Sequence, residues 1–187
     1  MADPNHSLLP YLHVPLQSGC DRTLVAMKRK YDLGEVSAFI RRAEATVHGL
    51  CLGTDLMAGF PGETEKEFEQ TCRAFLELPF AYCHVFTFSE REGTPAIKAP
   101  ASVPMRERRR RSARPRRLSA AKRHDFHEAQ LGQEATILIE DAKEGAWPAY
   151  TENYVRVILR SERRDLANRL ASVRLREAKP EYVEAEL

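Results

Sequence analysis

The stretch Thr54-Asp55-Leu56-Met57-Ala58-Gly59-Phe60-Pro61-Gly62-Glu63-Thr64-Glu65-Lys66-Glu67 decides the fold. Its apolar part, beginning at Cys51 and ending at Ala58, is short and lacks a 3.6-residue period, which predicts a strand buried on both faces. Gly59, Pro61 and Gly62 then supply a sharp turn, because glycine reaches positive φ and proline fixes it. Thr64 with Glu67 three residues on makes a capping box, so a helix begins there. In α/β folds, ligands gather at the carboxyl ends of strands, where backbone N–H groups and helix N-termini face them. The turn from Gly59 to Glu63 is therefore a candidate ligand edge, although such a turn can also serve only as a connector.

Working outward, Tyr11 to Leu16 reads as a strand, Gln17-Ser18-Gly19 as its turn, and Asp21 as the N-cap of a short helix reaching Met27 and Lys28. Asp32 and Glu35 form another capping box, ahead of a helix with Leu33, Val36, Phe39, Ile40, Ala43 and Val47 on one face. The helix from Thr64 shows Phe68, Cys72, Phe75 and Leu76, and Tyr82 to Phe88 reads as a third strand. The connections are too long for hairpins, so the strands should run parallel in right-handed crossover units. Three strands cannot close a barrel.

Gly93 to Val103 is a Pro/Ala-rich linker, and Pro104 suits the first position of a helix. Arg106, Arg108, Arg109, Arg110, Arg111, Arg114, Arg116 and Arg117 follow. Pro115 predicts a break or kink near Ala113 and Arg114, with helix resuming through Leu131. From Gly132 the pattern changes to period two. Ala135 to Glu140, Tyr150 to Leu159 and Ser172 to Arg176 read as strands, with a short Tyr182-Val183 strand at the end.

The chain has 187 residues, 43% of them hydrophobic and 30% charged, a composition that allows one large domain or two small ones. No apolar run is long enough to span a membrane and no basic-then-apolar leader opens the sequence, so a soluble, cytoplasmic protein is expected. The net charge of +2 conceals an uneven distribution. Residues 101 to 131 carry 10 Lys+Arg against 3 Asp+Glu, whereas residues 1 to 100 carry 10 against 13 and residues 132 to 187 carry 9 against 11. The basic segment is either a footprint for polyanions or a solvated tether.

Cys20, Cys51, Cys72 and Cys83 are widely spaced and read as buried thiols rather than disulfides or ligands. No His/Cys/Asp group has zinc spacing. Asp55 is a lone acid in an apolar strand and needs a partner, either a structural one such as His13 or Arg91, or a ligand.

Thr-Asp-Leu-Met-Ala-Gly-Phe-Pro-Gly-Glu-Thr at 54–64 resembles the late-strand motif of radical S-adenosylmethionine (SAM) enzymes of the MiaB/RimO type, the methylthiotransferases. Leu12-His13-Val14-Pro15-Leu16-Gln17-Ser18-Gly19-Cys20-Asp21 resembles that family's preceding strand and turn. Phe86-Thr87-Phe88-Ser89-Glu90-Arg91-Glu92-Gly93-Thr94-Pro95-Ala96 resembles the one after, in wording closest to the branch acting on threonylcarbamoyladenosine in tRNA. Gly132-Gln133 with Ile137-Leu138-Ile139-Glu140, and Tyr150-Thr151-Glu152-Asn153-Tyr154-Val155-Arg156-Val157, resemble the TRAM module, although Ala149 stands where relatives often have glycine.

The resemblance implies an α/β fold: half of a partial (β/α) radical SAM barrel over residues 1–103, a basic helical linker over 104–131, and a small all-β, OB-like TRAM barrel over 132–187. It implies SAM held by Gln17, Ser18, Gly19, Asp55, Gly59, Phe60, Glu63, Phe86 and Phe88. It also implies tRNA held by Lys143, Tyr150, Asn153, Tyr154 and Arg156 together with Arg109 and Arg110, since aromatic and basic groups suit base stacking beside phosphate contacts. The family's [4Fe-4S] clusters require closely spaced cysteines, which this chain lacks, so it ligates no cluster and has no assignable catalytic residue. A fragment inactive alone is expected, working with a missing N-terminal cluster-binding region or a chain that carries it. The alternative is a stand-alone RNA-binding module or a partner subunit. Exposed apolar edges over Tyr11 to Leu16 would favour the subunit.

Overall fold

The computed structural model describes residues 8–98, 101–142 and 145–187, and it places the strand–turn–helix unit where the sequence dictates. Strand β2 spans Cys51–Ala58, and helix α3 (Glu65–Glu77) starts from Thr64, whose hydroxyl accepts from the Glu67 backbone while the Glu67 carboxylate accepts from the Thr64 backbone. Before them come β1 (Tyr11–His13), α1 (Asp21–Ala26) and α2 (Leu33–Thr46), the last capped by Asp32 and Glu35 in the same reciprocal way. Strand β3 (Tyr82–Thr87), a short 3-10 helix (Pro95–Lys98) and the long α4 (Met105–Glu128) follow.

By packing, the chain divides into two units. One comprises residues 12–48 and 52–119; the other comprises residues 1–11, 49–51 and 120–187.

In the α/β unit the sheet order is β1-β2-β3. Strands β2 and β3 are parallel, with Asp55 opposite His84 and Met57 opposite Phe86. Beyond β1 the ladder continues through a parallel bridge between Gln17 and Leu56, so all three strands point the same way. Strand β1 ends at His13, short of the expected Leu16, because Pro15 lacks an amide hydrogen to donate. Leu16, Leu24, Ile40, Leu52, Leu56, Phe68 and Phe75 form the core. The opposite face of the sheet carries His13, Asp55, Met57, His84 and Phe86 and is open: Phe86 is 50% exposed.

Helix α4 runs unbroken through Pro115, which corrects the expected interruption. Pro115 lies on a buried stripe with Arg108, Arg111, Ser112 and Ser119. That stripe is tied to β3 by polar groups: Thr87 and Ser112 hydroxyls meet at 2.6 Å, and the Ser119 hydroxyl accepts from Cys83 N at 2.8 Å and donates to Cys83 O at 3.0 Å. These bonds and the burial of the proline ring offset the cost of an interior proline, about 3 kcal/mol for the lost hydrogen bond and the ring clash together.

The second unit is a closed five-stranded barrel of β4 (Glu134–Ile139), β5 (Ala146–Thr151), β6 (Arg156–Arg160), β8 (Val183–Glu186) and β7 (Leu170–Ala178), in the order β4-β5-β6-β8-β7. Its neighbours are antiparallel except β6 and β8. Ile137, Ile139, Ala149, Val157, Leu159, Val173, Leu175 and Val183 point inward, as period-two alternation requires.

Residues 150–159 form a hairpin rather than the single strand expected. Thr151 accepts through its hydroxyl from Val155 N (2.9 Å) and donates to Asn153 Oδ1 (2.6 Å), and its backbone N–H donates to Val155 O. Tyr154 takes the left-handed conformation at φ +63°. A local side-chain bond of this kind competes with a continuing ladder and turns the chain.

Candidate functional site

The segments that follow the three parallel strands meet around one cleft in the α/β unit. Arg22 and Ala26 come from α1 after β1 and Met27 and Lys28 from just past its end, Phe60, Pro61 and Gly62 from the turn after β2, and Thr94, Pro95 and Ala96 from the segment after β3. The cleft encloses about 430 Å³, the size class of small-ligand sites. Its lining is mainly apolar, with two cations.

The turn after β2 is held from below. Gly59 has φ +78°, and a Cβ there would lie 2.5 Å from Arg108 Cγ, so only glycine fits. Its N–H donates to Glu63 Oε2 at 2.8 Å, and Arg111 Nη1 donates to both Glu63 Oε2 (3.0 Å) and Glu63 O (2.8 Å). Burial pushes the Glu63 carboxyl above its usual range despite these donors, and its Oε1 has no partner among the described residues. Arg22 clamps the outer side, donating to the Gly62 carbonyl and to the Glu67 carboxylate, which it draws down to about 2.

Most residues singled out for SAM are engaged within the protein. Ser18 is fully buried, its hydroxyl 3.1 Å from that of Thr71, and Gly19 N donates to the same hydroxyl. A Cβ on Gly19 would stand 2.7 Å from that of Ala74, so this turn is a close-packing device against α3. Gln17 is buried in the left-handed region, its backbone bonded to Asp55 and Met57. Asp55 has a structural partner, His13, whose Nε2 lies 3.0 Å from Oδ1. Phe60 and Phe88 are buried in an edge-to-face pair with centroids 5.4 Å apart, and the Arg108 guanidinium lies over Phe88. Phe86 remains open on the sheet face.

Two members of the arginine run turn inward, while Arg106, Arg109, Arg110, Arg116 and Arg117 stay exposed. Arg108 and Arg111 are buried, Arg108 donating to Val103 O, Phe88 O and the Glu90 carboxylate. Arg110 pairs with Glu65 and Glu107, and Arg114 with Glu69. Arg109 is exposed.

The barrel has its own groove, about 570 Å³, lined by Leu9, Thr136, Leu138, Glu140, Tyr150, Thr151, Glu152, Tyr154 and Leu170. Register explains it: Leu138 faces both Tyr150 and Leu170, so alternation turns these three outward together. Tyr154 stacks on Tyr11 at 4.6 Å and sits 5.6 Å from Tyr150, and Arg156 pairs with Tyr150 across the hairpin. Asn153 is spent structurally, its amide donating to Gly49 O (3.0 Å) and Gln130 Oε1 (3.1 Å). Lys143 lies outside the described residues.

No protein-family model matches the chain. Individual proteins do. It is 40% identical over 134 residues to the tRNA-2-methylthio-N(6)-dimethylallyladenosine synthase of Chromobacterium violaceum, covering 72% of this chain and 30% of that protein. The Threonylcarbamoyladenosine tRNA methylthiotransferase MtaB of Rickettsia prowazekii is 37% identical over 152 residues, 81% of this chain and 35% of its own length. A Pseudomonas fluorescens protein named like the first is 34% identical over 184 residues, 96% of this chain and 41% of its own. The chain belongs to the MiaB/MtaB family. It spans about a third of the length of these relatives.

Members of the MiaB/MtaB family are radical SAM enzymes with iron–sulfur clusters. In this chain all four cysteines are buried and none forms a disulfide, and burial pushes the Cys51 thiol up to about 12 and Cys72 to about 11. Among the described residues no group of three or more His, Cys, Asp or Glu could hold a metal. The residues present do not fit a cluster. None of the described helices is long and apolar enough to cross a membrane.

Proposed function

We propose that the chain is the C-terminal part of a tRNA methylthiotransferase, contributing half of a partial (β/α) SAM barrel and a TRAM barrel for RNA. The observation that carries this reading is the convergence of the segments after three parallel strands on one cleft, in a chain whose relatives are named for tRNA methylthiolation. SAM would lie along the open sheet face, with Phe86 for the adenine and Asp55 for the ribose hydroxyls, beside the turn that Gly59, Glu63 and Arg111 keep rigid. When bound it supplies methyl and radical chemistry, but the cluster needed to cleave it must come from elsewhere, so the chain alone has no route to product. On the barrel, Tyr150 and Tyr154 offer ring faces to unpaired bases and Arg156 a cation to phosphate. Glu140 and Glu152 on the same groove disfavour phosphates there, which makes base stacking the main contribution.

The test has two arms. Purified chain with SAM, reductant and unmodified-at-carbon-2 tRNA should form no methylthiolated nucleoside, while equilibrium measurements should show tRNA binding that weakens with salt. Methylthiolated product from the chain alone, or no tRNA binding at low salt, overturns the proposal. A stand-alone RNA-binding module remains the second reading, favoured by the closed barrel with its own groove, and it is distinguished by an absence of SAM binding.

A further inference from the structure

Lys28 occupies a position built for glycine. Helix α1 ends in a Schellman motif: Lys28 N donates to Val25 O and Arg29 N to Leu24 O, both at 2.9 Å. The residue just past such a helix end is left-handed, and Lys28 has φ +58°. A side chain there carries a steric cost that glycine avoids. A cation complementing the helix dipole would not require that cost, since a lysine in the last helical turn would serve as well. Left-handed non-glycine residues cluster at functional sites, so the use of this side chain is worth asking for. Lys28 is exposed and lines the 430 Å³ cleft.

The rest of the cleft specifies what the lysine would meet. Met27, Phe60, Pro61, Pro95 and Ala96 supply an apolar wall suited to a flat ring. Arg22, the other cation, is already committed to Glu67 and to the Gly62 carbonyl. That leaves Lys28, among the described residues, as the uncommitted positive charge of the lining. An apolar slot beside a single ammonium fits a nucleobase joined to a phosphate. Asp55 and Phe86, where SAM is proposed to lie, are not part of this lining.

We propose that the cleft takes one nucleotide of the RNA substrate, its base against Met27, Phe60 and Pro95 and its phosphate on Lys28. The inference rests on the tRNA reading above and adds a second point of RNA attachment, on the α/β unit. Lys28 acts as a positioning residue without touching the reacting atoms.

The test uses the 187-residue chain with a short anticodon stem–loop RNA and, separately, SAM, comparing wild type with K28G and K28R. K28G should raise Tm by a few degrees, because the left-handed strain is removed, yet weaken RNA binding about 3- to 10-fold. Its slope of log affinity against log salt should shrink by about one phosphate contact, with SAM binding unchanged. K28R should keep the wild-type affinity. Unchanged RNA affinity in K28G, an affinity loss that follows a fall in Tm, or loss of SAM rather than RNA binding each overturns the proposal. Wild-type binding with no effect at Lys28 refutes this inference alone, whereas absence of wild-type RNA binding refutes the parent reading as well.

Discussion

Arg111 on α4 grips Glu63 twice, donating from Nη1 to its carboxylate at 3.0 Å and to its backbone carbonyl at 2.8 Å. The side chains are 7% and 1% exposed, so each charge depends on the other in a low-dielectric interior. Removing Arg111 strips Glu63 of its cation, whereas removing Glu63 leaves Arg111 still paired with Glu107 (2.9 Å) and Glu65 (3.2 Å). Glu63→Ala should destabilise the α/β unit by about 2–3 kcal/mol, because Arg111 loses its innermost acceptor and Gly59 N–H is left unpaired. Glu63→Gln keeps a carbonyl for Gly59 N–H and should cost less, about 1–2 kcal/mol. Urea unfolding monitored on both variants measures the difference, and equal costs would show that shape rather than charge is what the site needs.

Gly59→Ala tests the same turn from its other side. The variant combines a left-handed backbone at φ +78° with a Cβ 2.5 Å from Arg108 Cγ, itself fixed by bonds to Val103, Phe88 and Glu90. The conformational term alone is about 1–2 kcal/mol and the overpacking adds about 1–3 kcal/mol. Thermal unfolding should show a loss of about 2–5 kcal/mol, while Gly62→Ala, with no described atom within 4 Å of its Cβ, should show only the conformational part.

Glu67 sets an acid limit on the α/β unit. The Arg22 guanidinium first, then the Thr64 donors, hold its carboxyl at about 2, below the ordinary glutamate value of about 4.3. A folded-state value below the unfolded one means the unfolded chain binds the proton first as pH drops. The stabilisation is therefore complete above about pH 4.3 and is lost as pH falls towards 2. Glu67→Gln should flatten that part of the stability profile, and an unchanged slope between about pH 5 and pH 3 would remove Glu67 from the explanation.

The elements whose local chemistry is self-contained were legible in the sequence. The capping boxes Asp32/Glu35 and Thr64/Glu67, the parallel order of three strands and the need of Asp55 for a partner required only spacing and residue type. What was not legible depends on groups distant in sequence. The arginine run gives no local sign that Arg108 and Arg111 serve Glu90 and Glu63. Pro115 reads as a breaker until Ser112 and Ser119 are seen bonded to β3. The hairpin at Glu152 to Val155 was hidden because Val155, Val157 and Leu159 keep strand alternation while the Thr151 hydroxyl turns the chain. Ser18 and Gly19 look like ligand donors in a turn, and only the proximity of Thr71 and Ala74 shows that they pack against α3.

Tyr154 joins barrel stability to the proposed RNA contact with opposite signs. Its φ of +63° is unfavourable for a tyrosine, but its ring stacks on Tyr11 at 4.6 Å and is 56% exposed. Tyr154→Gly relieves about 1 kcal/mol of backbone cost while forfeiting a stacked pair worth about 0.5–1.5 kcal/mol, so stability should change by less than about 1 kcal/mol. Loss of a stacking platform should weaken tRNA binding by about 1–3 kcal/mol with little change in salt slope, since no phosphate contact is removed. Fluorescence anisotropy at several salt concentrations separates these effects, and unaltered affinity would take Tyr154 out of the RNA surface.

His127 gives the barrel unit a pH dependence of its own. The residue is 4% exposed on α4, next to Phe126, which packs on the barrel core, and its Nδ1 has no partner among the described residues. Burial first, then Arg123 and His124, push its pKa below the usual histidine value, against an opposing hydrogen bond with the Lys179 backbone. A lowered value means the unfolded chain takes up the proton before the folded one. Stability is therefore full above about pH 6.5 and declines as pH falls below it, the reverse of a histidine held by an acid. Denaturant titrations of the barrel between about pH 7.5 and pH 5 should show this decline, and His127→Leu, which cannot be protonated, should abolish it. A decline that persists in the variant would take His127 out of the explanation.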